Sequence, residues 1–411
     1  MEEVINWMGG WPKEGLLSAL EWEEMRREQA ARAADAGAGT GEGGLLPALG
    51  ERLAAGWLGA RSAAAGPEAV LQAAPGADAA LQAAFRGLLQ PGDIVLTERP
   101  TSRMALQAIR RVGALPVSLA GDQEGMDPDA LAQAIDTLKP KLVYASPSCT
   151  DPEGRIWSER RFGLLAELCA SGGVTLLLDE RQAALAEQAD QRRAESSAKT
   201  VRGEEREPEK GERAHAATGN RGTLERADRS PETRGAILTV RELPPGLIGG
   251  LRFGWLTGTG LEPEQAQSLA RAAAAAGETE RVSAADQLAL LAYAQAQPVE
   301  PALATLRFVY RTRNALLAET LRRQGRPEAL AAEPQAGVHA WLTLPDGLDA
   351  EALLRASWLK GVLFQPGNAF YASEPDRFKI RLTAVHSDER EIREGVRRIE
   401  EAIGEFMGRS V

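Results

Sequence analysis

The sequence predicts an α/β protein with a large domain built on a mostly parallel sheet and a smaller C-terminal α+β domain. Between residues 77 and 256, short and almost continuously apolar segments alternate with helical segments, a pattern typical of βαβ units. Strand segments that are apolar along their whole length are expected where helices cover both faces of a parallel sheet. After residue 300, a long helix and short separated strands indicate the smaller unit.

Turn and cap residues set the ends of the elements in the alternating region. Pro91-Gly92 ends the first helix, Asp127 is a candidate N-cap, and Gly172-Gly173 separates a helix from the strand that follows it. In chain order we predict a helix at 77–89, a strand at 93–97, a helix at 102–112, a strand at 116–119, a helix at 127–138, a strand at 141–146, a helix at 158–170 and a strand at 174–178.

Regular structure resumes after a charged segment. Here we predict strands at 236–240 and 252–256, helices at 262–276, 282–294 and 301–323, a strand at 338–344, a helix at 350–359, strands at 362–364 and 379–383, and a terminal helix at 388–406.

Two segments depart from this order. Near the N-terminus, predicted helices at 21–34 and 45–58 flank a stretch, 36–44, that is too rich in glycine to hold a helix. Residues 188–235 are dense in charged residues, glycine and proline and poor in bulky aliphatics, so we expect a disordered surface insertion. The predicted organisation is an N-terminal segment (1–50), a large domain (51–300) that carries the insertion, and a small C-terminal domain (301–411).

Composition narrows the range of functions. The chain has 411 residues and a formal net charge of −10, which argues against a nucleic-acid partner. Two cysteines fit a reducing compartment, and three scattered histidines do not suggest a metal site. We find no apolar stretch long enough for a membrane span and no signal peptide, so we expect a cytoplasmic protein. Most basic residues are arginine, and the lysines are Lys13, Lys139, Lys141, Lys199, Lys210, Lys360 and Lys379.

Several local phrases occur in an order that resembles a known family. They are Pro91-Gly-Asp-Ile-Val-Leu-Thr97, Pro140-Lys-Leu-Val-Tyr-Ala-Ser146, Asp151-Pro-Glu-Gly154, Leu178-Asp-Glu180, Gly250-Leu-Arg-Phe-Gly254, Gln365-Pro-Gly-Asn-Ala-Phe-Tyr371 and Ile380-Arg-Leu382. Together they resemble the class I/II aminotransferases of fold type I, which use pyridoxal phosphate (PLP). The nearest subgroup is the one related to the C-terminal domain of aminotransferase-like transcription regulators. The resemblance implies the PLP-transferase fold, a homodimer, and transfer of an amino group between an amino acid and a 2-oxo acid.

The resemblance also implies roles for three charged residues. Asp179 matches the acid that keeps the pyridine nitrogen of PLP protonated, and Arg252 matches a phosphate-binding arginine. Arg381 matches the arginine that binds the α-carboxylate of the substrate. Read from the residues alone, each side chain also fits a structural role. Asp179 could cap a helix or lie in a strand-end turn, Arg252 could be an ordinary exposed side chain, and Arg381 could be an outward-facing strand residue.

The sequence departs from the family at the residue that carries the chemistry. PLP enzymes need a lysine amine to form the imine with the cofactor and to move the proton afterwards. The Ser-x-Ser-Lys segment of the family falls on Arg241-Glu-Leu-Pro-Pro245, so the lysine position is occupied by Pro244 or Pro245. The nearest upstream lysine is Lys210, inside the predicted insertion. Covalent attachment of PLP is therefore not expected at the family's position.

Further replacements fall on the same predicted site. Gly76 and Ala77 match the turn that cradles the phosphate, but the preceding residue is Pro75, which lacks a backbone N–H. Asp151 replaces the asparagine that contacts the phenolic oxygen, Arg181 replaces a tyrosine, and Ser102 replaces the aromatic residue that stacks on the ring.

Three functional interpretations follow from this pattern. The first is a catalytically degenerate homologue, retained as a ligand-binding or dimer-partner protein. The second is a working PLP transaminase that recruits another lysine, with Lys210 as the candidate. The third is a non-enzymatic structural or regulatory module without a small ligand.

Overall fold

A computed structural model describes residues 4–12, 14–35, 45–54, 69–186, 235–275, 282–324 and 337–408 of the chain. Several predictions fall outside these residues. They are the glycine-rich stretch 36–44, the end of the helix predicted at 45–58, Lys210, and all of the 188–235 insertion except Gly235.

The strands lie close to their predicted positions, with additions near the N-terminus. In chain order they are β1 (Ile5–Trp7), β2 (Ala69–Ala74), β3 (Ile94–Thr97), β4 (Leu115–Ser118), β5 (Gly121–Asp122), β6 (Gly125–Met126), β7 (Leu142–Ala145), β8 (Thr175–Asp179), β9 (Ile237–Glu242), β10 (Gly254–Thr259), β11 (Ala340–Thr343), β12 (Val362–Pro366) and β13 (Lys379–Leu382). β1, β2 and the short β5–β6 ribbon were not predicted from the sequence.

The larger sheet has seven strands in the order β2-β10-β9-β8-β7-β3-β4. From β9 to β4 neighbouring strands run parallel, and β10 is antiparallel to both of its neighbours. The prediction of an α/β fold with a mostly parallel sheet is confirmed. The carboxyl ends of parallel strands share one edge, and in open α/β sheets this edge is where ligands bind.

Helices separate the strands from β2 to β8 except in the run β4-β5-β6, and three described helices follow β10 in succession. In chain order the helices are α1 (Ala19–Asp35), α2 (Pro47–Ala54), α3 (Ala77–Leu88), α4 (Arg103–Arg111), α5 (Pro128–Leu138), α6 (Glu159–Gly172), α7 (Ala183–Ala186), α8 (Pro263–Ala274), α9 (Ala284–Ala296), α10 (Glu300–Arg323), α11 (Ala350–Leu359) and α12 (Glu389–Gly408). The Asp127 carboxylate caps α5 as predicted, accepting a hydrogen bond from the backbone N–H of Asp129 at 2.8 Å. None of the described helices combines the length and the apolar composition needed to cross a bilayer.

The smaller sheet has four strands in the order β1-β12-β13-β11. β1 runs parallel to β12, with Ile5 opposite Val362, so the start of the chain joins a sheet otherwise built from residues 340–382. Trp7 on β1 is completely buried, and its ring packs against Gly395 of α12. The division of the chain at residues 50 and 300 stays a prediction.

Candidate functional site

Asp179 ends β8 at the carboxyl edge of the large sheet, and its buried carboxylate has several donors. Oδ2 accepts a hydrogen bond from the hydroxyl of Tyr144 at 2.8 Å. Nε of Arg181 lies 2.9 and 3.0 Å from the two carboxylate oxygens, and Nη2 lies 2.8 Å from Oδ2. The guanidinium two residues further along the chain therefore balances the charge of Asp179.

The same guanidinium reaches the start of α3. Nη1 of Arg181 donates to Oδ1 of Asp78 at 2.7 Å, and Asp78 lies in the first turn of that helix. Burial alone lowers the pKa of Arg181, but the carboxylates of Asp179 and Asp78 raise it well above its usual value. Arg181 thus stays charged and ties the end of β8 to the N-terminus of α3.

The N-terminus of α3 holds a second carboxyl group. The backbone N–H of Ala77 donates to Oε1 of Glu242, the last residue of β9, at 3.0 Å. Gly76 precedes the helix with φ +95°, and a Cβ placed there would lie 2.8 Å from the same oxygen. Burial raises the pKa of Glu242 to about 7, although Arg181 and the N–H of Ala77 lower it. Glu242 therefore lies in contact with the turn that the sequence matched to a phosphate cradle.

Asp151 and Arg381 form a buried ion pair. Nη1 of Arg381 lies 2.6 Å from Oδ1 of Asp151, and the two side chains are 9% and 15% exposed, Arg381 being the less exposed. Nη2 of Arg381 donates to the carbonyl oxygen of Met8, and the guanidinium lies over the ring of Phe370, 4.7 Å from its centroid. Nε of Arg381 is buried and has no hydrogen-bond partner among the described residues.

This ion pair sets the charge of its neighbours. Burial raises the pKa of Asp151, but Arg381 and His339 lower it. The net result is a pKa of about 2. Burial and the nearby Arg381 lower the pKa of His339 to about 3, and its Nδ1 lies 2.9 Å from the hydroxyl of Thr383. At neutral pH the group consists of one carboxylate, one guanidinium and a neutral imidazole.

The segment that the sequence resemblance matched to the catalytic lysine of the family contains a turn that begins with two prolines. Pro244 is buried and Pro245 is partly buried, and the carbonyl oxygen of Pro245 accepts a hydrogen bond from the hydroxyl of Tyr310. The lysines that the structure describes have other surroundings. Lys379 donates to Thr343, Lys360 pairs with Glu405, Lys139 lies 3.9 Å from Asp136, and Lys141 is exposed.

Among the described residues, two other residues predicted from the sequence, Arg252 and Ser102, form no hydrogen bond or ion pair with the charged residues around Asp179 and Arg381. Arg252 is exposed, and its guanidinium lies 5.6 Å from the centroid of the Trp11 ring. Its Cβ nevertheless comes within 3.9 Å of a Cβ placed at Gly76, so Arg252 begins beside the α3 turn. Ser102 is buried just before α4, and its hydroxyl has no hydrogen-bond partner among the described residues.

A cavity of about 190 Å³ is lined in part by Thr150, Glu98 and Trp157. Oε2 of the buried Glu98 accepts from the backbone N–H and the hydroxyl of Ser146 at 3.0 and 2.8 Å. Burial raises the pKa of Glu98 to about 7 despite these bonds. No cluster of three potential metal-binding side chains occurs within the part of the chain that the structure describes.

The structure brings the predicted residues together in two groups. In the first group, Arg181 links Asp179 to Asp78 in the first turn of α3, and Glu242 contacts Gly76 and Ala77 at the start of the same helix. In the second group, Asp151 pairs with Arg381. Burial and Arg381 lower the pKa of Arg103 while Asp151 and Asp78 raise it, so charges from both groups act on this one guanidinium. The sequence analysis did not predict that Arg181 pairs with Asp179 and Asp78, or that Glu242 binds the N-terminus of α3. The signal was the opposite sign of the charges: Arg181 is a cation between two carboxylates, and Glu242 is an acid at the positive end of a helix.

Comparison with known proteins identifies relatives of this chain. The family "Aminotransferase class I and II" matches residues 3–205. The aromatic-amino-acid aminotransferase 1 of Thermococcus litoralis is 25% identical over 328 residues, 78% of this chain and 69% of the relative. This chain is similar to the class I and II aminotransferases.

Two further relatives agree with the predicted fold and subgroup. The solved structure of LysN, the α-aminoadipate aminotransferase of Thermus thermophilus, in complex with N-(5'-phosphopyridoxyl)-L-leucine, has a TM-score of 0.73 at 22% identity. The match covers 99% of this chain and 94% of the LysN chain. An HTH-type transcriptional regulator of Escherichia coli is 25% identical over 311 residues, 75% of this chain and 58% of the regulator. The PLP fold-type-I architecture expected from the sequence is confirmed.

Proposed function

We propose that this chain is a catalytically degenerate relative of the aminotransferases, retained as a ligand-binding or dimer-partner protein and not as a transaminase. The observation that carries the proposal is that Pro244 and Pro245 occupy the segment where the resemblance predicts the imine-forming lysine of the family. Proline has no side-chain amine. Loss of a positioned general base alone costs about 10²- to 10⁴-fold in rate, and covalent anchoring of the cofactor would be lost as well.

The described residues do not fit PLP in the family's manner. The carboxyl group of Glu242 lies against the turn of Gly76 and Ala77, where a phosphate would need backbone N–H groups. The acid proposed for the pyridine nitrogen, Asp179, already binds Arg181 and Tyr144.

The absorbance spectrum of the purified protein, with and without added PLP, tests the proposal. We expect no imine band that borohydride removes, and no amino-group transfer in coupled assays with amino acids and 2-oxo acids. A borohydride-fixed label that maps to a lysine, together with turnover, would overturn the proposal. If turnover is seen, the Lys210→Ala variant tests the alternative of a recruited lysine, because that version requires its activity to disappear.

Ligand binding and oligomeric state complete the proposal. A 2-oxo acid or amino acid that binds tightly should raise the melting temperature of the protein, whereas a purely structural module would show no shift. We propose a homodimer from the family resemblance, and light scattering coupled to gel filtration tests it, since a monomeric mass would exclude a dimer. Cytoplasmic localisation stays a prediction.

A further inference from the structure

The N-terminus of α3 is built to hold a negative charge. The first backbone N–H groups of a helix have no intrahelical acceptor, and the helix dipole favours an anion beside them. The residue before this helix is Gly76, which has no side chain to provide a cap. The capping partner comes instead from β9, where Glu242 accepts from the N–H of Ala77.

Space at this turn is taken by that carboxyl group. A single added carbon on Gly76 would already lie 2.8 Å from Oε1 of Glu242, too close without movement of the side chain. On the other side, a Cβ placed at Gly254 of β10 would lie 2.5 Å from the carbonyl carbon of Gly76. An anion can therefore reach the helix end only if the Glu242 side chain leaves it.

Arg181 occupies the space between Asp179 and the first turn of α3, as Glu242 occupies the space at the turn of Gly76. Its guanidinium spans from Asp179 on β8 to Asp78 in the first turn of α3, with N–O distances of 2.8 and 2.7 Å. The side chain is 18% exposed, so it lies mostly inside the site. A ligand cation beside Asp179 would have to displace a guanidinium held by two carboxylates.

We propose that Glu242 and Arg181 are internal substitutes for a ligand, and that Glu242 in particular closes the anion site at the N-terminus of α3 to phosphorylated small molecules. This inference rests on the proposed function, because a bound cofactor phosphate would need the place that Glu242 takes. The raised pKa of Glu242 is compatible with closure, since the protonated and the ionised carboxyl groups fill the same volume.

Glu242→Ser tests the closure, with Glu242→Gln as the matched control. Serine withdraws the side chain from the turn and supplies a hydroxyl, whereas glutamine removes the charge and keeps the volume. The probes are pyridoxine 5'-phosphate, which has no aldehyde and cannot form an imine, and inorganic phosphate, both measured by equilibrium dialysis at pH 7. We expect the serine variant to bind the phosphorylated probe at least about ten-fold more tightly than the wild type or the glutamine variant.

Two results would overturn the inference. One is wild-type protein that itself binds the probe tightly, and the other is a folded Glu242→Ser variant that binds the probe as weakly as the wild type does. If the serine variant does not fold, hydrogen exchange at the backbone amide of Ala77 in the wild-type protein tests whether phosphate reaches the turn. We expect exchange at Ala77 to be unchanged by added phosphate, and slower exchange would show that the site is open.

These outcomes are separable from the proposed function. The aldehyde-free probe reports only on the phosphate position, whereas imine formation and turnover with PLP report on a reactive lysine. An inactive protein whose serine variant gains no phosphate binding refutes the closure alone. Turnover in the wild type refutes the proposed function, whatever the serine variant binds.

Discussion

Replacing Asp151 by alanine should destabilise the protein strongly, because it leaves the guanidinium of Arg381 buried without its carboxylate. Arg381 is only 9% exposed, and its Nε already lacks a partner among the described residues. Removing one member of a buried ion pair typically costs about 3–5 kcal/mol. The ring of Phe370 and the carbonyl oxygen of Met8 still face the cation, so we expect the lower end, about 3 kcal/mol.

Guanidinium unfolding at pH 7 measures this loss, and Arg393→Ala provides the control. Arg393 pairs with Glu389 on the exposed surface of α12, with side-chain exposures of 44% and 69%. Such pairs contribute no more than about 1 kcal/mol. Asp151→Asn keeps a hydrogen-bond acceptor but loses the charge. Its loss of unfolding free energy should therefore lie between the losses for Asp151→Ala and Arg393→Ala. If Asp151→Ala costs no more than Arg393→Ala, the ion pair does not stabilise the fold and the reasoning fails.

The same pair has a pH signature. The folded-state pKa of Asp151 is lowered from 3.8 to about 2, so its contribution is complete above pH 3.8 and is lost as the pH falls through 2. The shift corresponds to roughly 2 kcal/mol. The stability difference between the wild type and Asp151→Ala should therefore narrow below pH 4, and a difference that stayed constant to pH 2 would contradict this account.

Three further predictions concern Gly395, Glu98 and His339. Gly395→Ala should cost about 1–3 kcal/mol in unfolding free energy, because the new Cβ would lie 2.3 Å from the Trp7 ring, whereas Gly404→Ala on the same helix meets nothing within 4 Å and should be neutral or stabilising. Equal effects of the two substitutions would refute the packing argument. The pKa of Glu98 is raised from 4.5 to about 7, so its contribution to stability is complete below pH 4.5 and is lost as the pH rises through 7. Glu98→Gln should therefore remove up to about 3 kcal/mol of pH-dependent stability across that window, and an unaltered pH profile would contradict the assignment. The ring of His339 should not titrate between pH 5 and 8 by NMR, because its pKa is lowered to about 3, and a midpoint near 6.5 would show that the ring is not buried in the native state.

The sequence predicted the alternating strands and helices well, because their apolar runs are local signals bounded by glycine, proline and cap residues. β1 was missed, since three residues carry too short a pattern and its partner, β12, lies at the other end of the chain. β2 was missed because three of its six residues are alanine, which is depleted in strands. Such elements form through long-range pairing, and a local pattern does not contain that information.

At the site, the sequence resemblance predicted roles for single residues but not how their side chains would pair. Asp179 was predicted at the end of its strand and lies there, yet Arg181 was read only as the loss of a tyrosine. Asp151 was read as the loss of an asparagine, yet it is the partner of Arg381. The missing information is three-dimensional: Asp151 and Arg381 are 230 positions apart in the chain and meet only when the sheets assemble.

The pairing suggests a physical reason for these particular replacements. A site shaped for an anionic, ring-nitrogen-bearing cofactor and a carboxylate substrate leaves buried charges and a bare helix end when it is empty. Each uncompensated buried charge costs several kcal/mol, which is a large fraction of the stability of a folded protein. In this chain Arg181 pairs with Asp179, Asp151 pairs with Arg381, and Glu242 contacts the start of α3. Each of the three positions therefore has a partner of complementary polarity within the protein itself, so the fold does not leave them unpaired when no ligand is bound.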